Sequence, residues 1–163
     1  PKTNGTTTQV VFPGSDILTQ RYTGIDLTEK QWSLSDPALY ARVGNWIEKF
    51  SANGQELLTQ TTSSIWAVAA DESVWIYDKK KSELTTASGE SIEITIPDTQ
   101  VQKIIEINEV YVLFRNQNNQ LVVLPRQAET EPVIFPGNTL TYVPDSKSWL
   151  IVSDWELWEL NRE

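Results

Sequence analysis

Cysteine and histidine are both missing from the 163 residues. Without cysteine there is no disulfide, no thiolate metal site and no thiol nucleophile. Without histidine the commonest general base, the usual partner of a catalytic serine and the commonest zinc ligand are gone as well. Basic residues are few, 13 Lys+Arg against 22 Asp+Glu, for a formal charge of −9. That balance argues against nucleic acid or an anionic membrane as a partner, since both call for stripes of Lys and Arg. The one basic run, Lys79-Lys80-Lys81, lies between apolar stretches and reads as a solvated turn. No apolar run approaches the roughly 18 residues of a transmembrane helix. The seven glycines are scattered, and neither Gly14 nor Gly137 leads into the Lys-Ser/Thr pair of a phosphate-binding loop.

What the chain does contain is strand material. Hydrophobic residues make up 39%, seven of them Trp, with β-branched residues plentiful. From residue 64 onward an apolar run, a polar turn and another apolar run recur, at 64–78, 110–126 and 148–160. Such short runs bounded by Asn, Asp and Ser predict β-hairpins. Tyr111-Val112-Leu113-Phe114, Leu121-Val122-Val123-Leu124 and Trp149-Leu150-Ile151-Val152 do not alternate apolar with polar. Strands of that kind are expected to be covered on both faces, sandwiched between other sheets.

Spacing extends the pattern. Trp66, Tyr111 and Trp149 open apolar runs 45 and then 38 residues apart. The phrase Val-Phe-Pro-Gly at 11–14 returns as Ile-Phe-Pro-Gly at 134–137, placing Phe12 and Phe135 at a separation of 123, three times 41. Proline ends a strand because it cannot donate to the ladder, and glycine turns the chain, so each phrase is expected to mark a corner between successive units. Repeats of about 40–45 residues that each form a small antiparallel sheet point to a β-propeller.

Residues 141–160, Thr-Tyr-Val-Pro-Asp-Ser-Lys-Ser-Trp-Leu-Ile-Val-Ser-Asp-Trp-Glu-Leu-Trp-Glu-Leu, resemble the repeats of TolB-type (WD40-like) β-propellers. In those repeats an aromatic precedes Ser-Pro-Asp-Gly-Lys, an apolar strand, a Ser/Asp turn and a second strand. Tyr142, Pro144, Asp145 and Lys147 match in order, whereas Ser146 stands where glycine is usual. The resemblance covers one unit closely and 64–78 and 104–126 loosely. It implies a propeller, a fold used mostly for binding or scaffolding.

The expected fold is therefore all-β, with repeated antiparallel hairpin or blade units in a propeller-like arrangement; a two-sheet β-sandwich is the alternative. A polar linker is expected over residues 1–9, followed by a single all-β domain over 10–163 of about three to four blade-like units. Residues 35–50 also carry a helical pattern, with Pro37 at a first-turn position and Leu39, Val43, Ile47 and Phe50 on one face. Asn53-Gly54 between apolar runs favours instead a hairpin from about residue 45, leaving at most a short helical turn at 36–42.

Carboxylates are the remaining catalytic equipment. Asp71 with Glu72, and Asp154 with Glu156 and Glu159, could form the acid pair of a glycosidase, but Asp71 and Asp154 sit where a hairpin-turn aspartate caps backbone N–H groups. Neither an Asp-x-Asp-x-Asp calcium loop nor a Gly-x-Ser-x-Gly elbow is present, and Ser146-Lys147-Ser148 falls in a turn. No catalytic residue, metal ligand or cofactor is expected. Among the tryptophans, Trp66, Trp75 and Trp149 are expected in the core. Trp32, with polar neighbours, and Trp155, beside a turn and on the opposite strand face from Trp158, are the expected binding residues. The expected function is a non-enzymatic protein-interaction or scaffold module of a larger bacterial, extracytoplasmic protein or assembly, with a protein partner. A carbohydrate-binding module using exposed Trp is the alternative, and a degenerate propeller glycosidase the third reading. The extracytoplasmic expectation (cell surface, periplasm or secreted) rests on the missing thiols and on abundant Thr, Ser, Asn and Gln beside few Lys and Arg.

Overall fold

A computed structural model describes residues 7–10, 20–23, 30–32, 38–51, 53–96, 99–126, 130–136, 139–143, 145–153 and 156–161, the first three segments as backbone only. Among the described residues every regular element is a strand. Sheet A pairs β1 (Thr7–Val10) with β2 (Gln20–Thr23), so β1 begins within the stretch expected as linker. Sheet B holds β3 (Lys30–Trp32), β4 (Leu39–Val43), β5 (Trp46–Ser51) and β6 (Gly54–Gln60). Sheet C holds β7 (Trp66–Val68), β8 (Val74–Asp78), β9 (Glu83–Thr86) and β10 (Ser91–Glu93). Sheet D follows with β11 (Val101–Ile107), β12 (Tyr111–Asn116), β13 (Leu121–Pro125) and β14 (Val133–Phe135). Sheet E ends the chain with β15 (Thr139–Val143), β16 (Ser148–Ser153) and β17 (Glu156–Asn161). Each sheet is an antiparallel meander in chain order, and the described strands form five sheets, not the two of a sandwich.

Turn chemistry sets the corners. Val43 pairs with Trp46 across Gly44-Asn45, and Gly44 at φ 62° supplies the positive φ that a type II′ turn requires at its first central position. The expected hairpin near Asn53-Gly54 forms one residue earlier, with Ser51 paired to Gly54. Among the described residues no helical turn precedes it, because Leu39–Val43 is taken into the sheet as β4; residues 36 and 37 lie outside them. The Asn116–Asn119 turn is held by the Asn116 side chain, whose Oδ1 accepts from the backbone N–H of Asn118 (3.0 Å) and Gln120 (2.9 Å). The Lys80 N–H donates to Asp78 Oδ1 at 2.8 Å, making the lysine run the solvated turn expected of it.

Sheets B to E pack in chain order because the second strands of sheets B, C and D bury alternate residues in opposite directions. Tyr40 and Ile47 of sheet B meet Trp66 and Val74 of sheet C. Trp75 and Tyr77, on the other face of sheet C, meet Val112, Phe114 and Val122 of sheet D. Leu113, Leu121 and Val123, on the far face of sheet D, meet Ile151 and the partly buried Trp149 of sheet E. The three largest fully buried side chains, Trp75, Tyr40 and Tyr111, all stand at the start of a second strand and point toward the following sheet. They recur at intervals of 35 and 36 residues, and 37 further on stands Ser148.

That register revises the expected spacing. Trp66 lies in the first strand of its sheet, whereas Tyr111 and Trp149 lie in second strands. In a meander covered on both faces, a first–second hairpin and a second–third hairpin carry the same apolar pattern, so the phase is invisible in sequence. The Trp149–Val152 run also differs from expectation. Trp149 and Ile151 face sheet D, but Val152 on the other face is 44% exposed. Phe135 ends β14, the fourth strand of sheet D, while Phe12 lies outside the described residues.

Phe114→Ala, between sheets C and D, is expected to cost about 3–5 kcal/mol, whereas Leu157→Ala, 67% exposed, should stay within about 0.5 kcal/mol. Urea unfolding of the two variants checks this; equal losses would contradict the packing order.

Candidate functional site: a cleft at the turn end of three sheets

In a four-stranded meander the first–second and third–fourth connections leave at one end of the sheet, and the second–third connection at the other. Stacking the sheets in chain order therefore gathers the first kind of turn from neighbouring sheets. In sheets C, D and E those turns surround a cleft of about 540 Å³ lined by Ala69, Ala70, Asp71, Ser73 and Trp75, by Glu90, by Asn108–Val110 and Arg126, and by Lys147.

The β7–β8 turn is closed by Glu72 N–H to the Ala69 carbonyl (3.0 Å) and by Ala69 N–H to the Ser73 carbonyl (3.0 Å). Within it the Trp75 indole N–H donates to Ser73 Oγ at 3.0 Å, and the Ser73 hydroxyl donates to Asp71 Oδ1 at 2.6 Å. Ser73 N–H reaches the same oxygen at 3.0 Å. The Ser73 hydroxyl is the main cause holding the Asp71 carboxyl below its ordinary value of 3.8; partial desolvation opposes it, and the Ser73 N–H and the Arg126 charge assist.

Across the cleft, the Arg126 guanidinium lies over the Trp75 ring, 5.5 Å from its centroid, and donates to the Asn108 carbonyl at 2.9 Å. Asn108 is itself fixed, its Oδ1 accepting from the N–H of Val110 and of Tyr111, both at 2.9 Å. Its Nδ2 donates to Glu106 Oε1 at 3.2 Å. Glu106, only 4% exposed, also accepts from the Tyr111 hydroxyl at 3.3 Å and from the Trp149 indole. One buried carboxylate thereby ties sheet D to sheet E and, through Asn108, positions the arginine of the cleft.

Among the described residues the carboxylates weighed from sequence do not come together as an acid pair. Asp71 turns into the cleft with Ser73, whereas Glu72, at φ 67°, ion-pairs with Lys49 of sheet B. Glu156 pairs with Ser153 on the strand face opposite Glu159, which accepts from Ser148 Oγ at 2.8 Å; Asp154 lies outside the described residues. Among the described residues no group of three or more Asp and Glu could hold a metal ion.

Of the expected binding residues, Trp32 ends β3 with only its backbone described, and Trp155 lies outside the described residues. Trp66 and Trp75 are buried as expected, and Trp149 is partly buried. Trp158 is half-exposed and meets Phe135 edge-on at 5.6 Å. Sequence reasoning did not find Arg126, which follows β13 as one basic residue among 13. The 35-residue interval from Tyr40 to Trp75 was the one signal marking the wall of the cleft.

Removing Glu106 leaves the Tyr111 hydroxyl and the Trp149 indole N–H without their acceptor, so Glu106→Ala should cost about 1–3 kcal/mol for each orphaned donor and Glu106→Gln less. Denaturant midpoints of the two variants measure it. For Asp71, a depressed folded value means its contribution is complete above 3.8 and is lost as pH falls through the lower folded value. The stability gap between wild type and Asp71→Asn, read by thermal melts, should be positive near neutrality and close in strong acid. No family model matches the chain, and no curated protein matches it.

Proposed function

We propose that this chain is a non-enzymatic protein-interaction module, a propeller-like stack of blade units serving a larger extracytoplasmic assembly. The observation that carries the reading is the outer face of sheet E. Leu150, Val152 and Leu157 share that face, with Leu157 67% and Val152 44% exposed. Ser148 occupies the place that Tyr40, Trp75 and Tyr111 hold in the preceding sheets, so this face lacks the aromatic that grips a following sheet. Among the described residues β17 pairs only with β16, leaving an edge to which a partner strand can add. A small apolar patch of Leu150, Val152 and Leu157, flanked on the same face by Thr139, Thr141 and Glu159 and bordered by an open edge, suits a protein surface better than a small ligand. The described residues of the TolB-like stretch 141–160 lie on this same sheet, and that resemblance is a further reason to read the sheet as a binding surface.

The groups of the cleft also fit holding rather than transforming. A general acid working near neutrality needs a raised carboxyl value, and Asp71 is shifted the other way. One observation keeps a carbohydrate-binding reading alongside: the half-exposed indoles of Trp46 (40%) and Trp158 (47%). Sugar stacking predicts fluorescence quenching on a glycan panel, lost in Trp46→Ala or Trp158→Ala.

The protein-interaction reading predicts that wild type retains a partner from its native source and that Leu157→Arg, with an unchanged melting temperature, releases it at least tenfold more readily, about 1.4 kcal/mol. Equal retention by both proteins would remove the sheet E face as the site of interaction.

A further inference from the structure

We propose that the cleft between sheets C, D and E receives a single carboxylate carried on a peptide, an Asp or Glu side chain of a partner protein flanked by a small apolar residue. Arg126 is its principal ligand and Lys147 a second cation.

The guanidinium is fixed before any ligand arrives. The Trp75 ring supports one face of it, the Asn108 carbonyl takes one N–H at 2.9 Å, and Asn108 is anchored through Glu106 to the core between sheets D and E. Guanidinium carries five N–H donors in a planar fork matched to a carboxylate, and a fork held in place loses little entropy on binding. Among the described residues neither Arg126 nor Lys147 makes an ion pair, although Asp71, Glu90 and Glu109 line the same cleft. Among these acids, Asp71 spends Oδ1 on the hydroxyl and N–H of Ser73. Lys147 stands at φ 50° on the β15–β16 turn and is exposed, opposite the sheet C wall.

The lining also selects against other ligands. Three carboxylates and two cations leave the cleft one unit negative, which disfavours a phosphate dianion or a polyacidic segment and tolerates one carboxylate with neutral or basic neighbours. Sugar stacking on Trp75 is blocked, because the indole is 2% exposed and its face is taken by Arg126. Ala69, Ala70 and the partly exposed Val110 give an apolar wall for the flanking residue. A volume of 540 Å³ lies within the usual range of about 300–1,000 Å³ for ligand sites.

The inference concerns a surface separate from the Leu157 face, so the two can fail independently. The test titrates acetyl-Ala-Asp-Val-amide, its Asn counterpart, acetate and inorganic phosphate into the full chain, reading the Trp75 indole and the Asn108–Val110 amides by NMR. The Asp peptide is expected to bind about tenfold more tightly than the Asn peptide, a difference of about 1.4 kcal/mol. That preference should vanish in Arg126→Gln, fall to an intermediate value in Arg126→Lys, which keeps the charge without the fork, and shrink in Lys147→Gln. Amide shifts of β12 and β13 that match wild type establish that the variants are folded, and loss of the preference on adding salt to wild type gives the same answer without any substitution. Equal binding of the Asp and Asn peptides, a preference that survives Arg126→Gln, or no shift at millimolar peptide would each overturn the proposal. Acetate or phosphate binding as tightly as the peptide would overturn the peptide as carrier.

Discussion

Burial of β12 and β13 on both faces is the constraint on which the rest of the structure depends. Val112, Leu113, Phe114, Leu121 and Val122 are all fully buried, alternate residues being covered by sheet C and by sheet E. Each such side chain contributes about 1.5–3 kcal/mol relative to exposure, and neither covering sheet is dispensable. A single sheet of this composition would present an apolar face to water, so folding of sheet D and docking of its neighbours are one event. The same rule, applied one sheet at a time, explains why an aromatic stands at the start of the second strand in sheets B, C and D.

Polar groups then decide the ends. Between sheets D and E the interface is not purely apolar. Glu106 satisfies the Tyr111 hydroxyl and the Trp149 indole, and the Ser153 hydroxyl donates to the Pro136 carbonyl at 2.7 Å. Between sheets B and C, Lys49 and Glu72 serve a similar purpose, and between C and D the Arg126–Trp75 contact does. Two of these polar contacts involve first–second turns or their immediate neighbours. The packing that buries the core thus also fixes the geometry of the cleft, and Arg126 owes its placement to a carboxylate in the neighbouring interface.

The all-β character, the two-faced strands of 111–124, the Asn116 turn and the hairpin after Trp46 were legible in the sequence, because local pattern and turn chemistry agree there. The phase of the units was not. Trp66 and Trp149 look alike within their runs and differ only in which strand of a sheet they enter. The outer face of sheet E was misjudged for a related reason: Leu150 and Val152 are as apolar as Leu113 and Val123, and only tertiary context leaves Val152 in solvent. The cleft was hidden because Asp71, Asn108, Arg126 and Lys147 come from four separated turns or strand ends, where single residues carry no periodic signal. Asp71 was read correctly as a turn-capping residue, and its second contribution, to a site with Arg126, arises only from the stacking of sheets.

The central claim is that sheets B to E pack face to face in chain order, and interproton contacts measured by NMR test it most directly. The account predicts contacts from Trp66 to Tyr40 and Ile47, from Trp75 and Tyr77 to Val112 and Val122, and from Leu113 and Val123 to Ile151. A contact that joins sheet B directly to sheet D, such as Tyr40 to Leu113 or Ile47 to Phe114, would contradict it, because sheet C must lie between them.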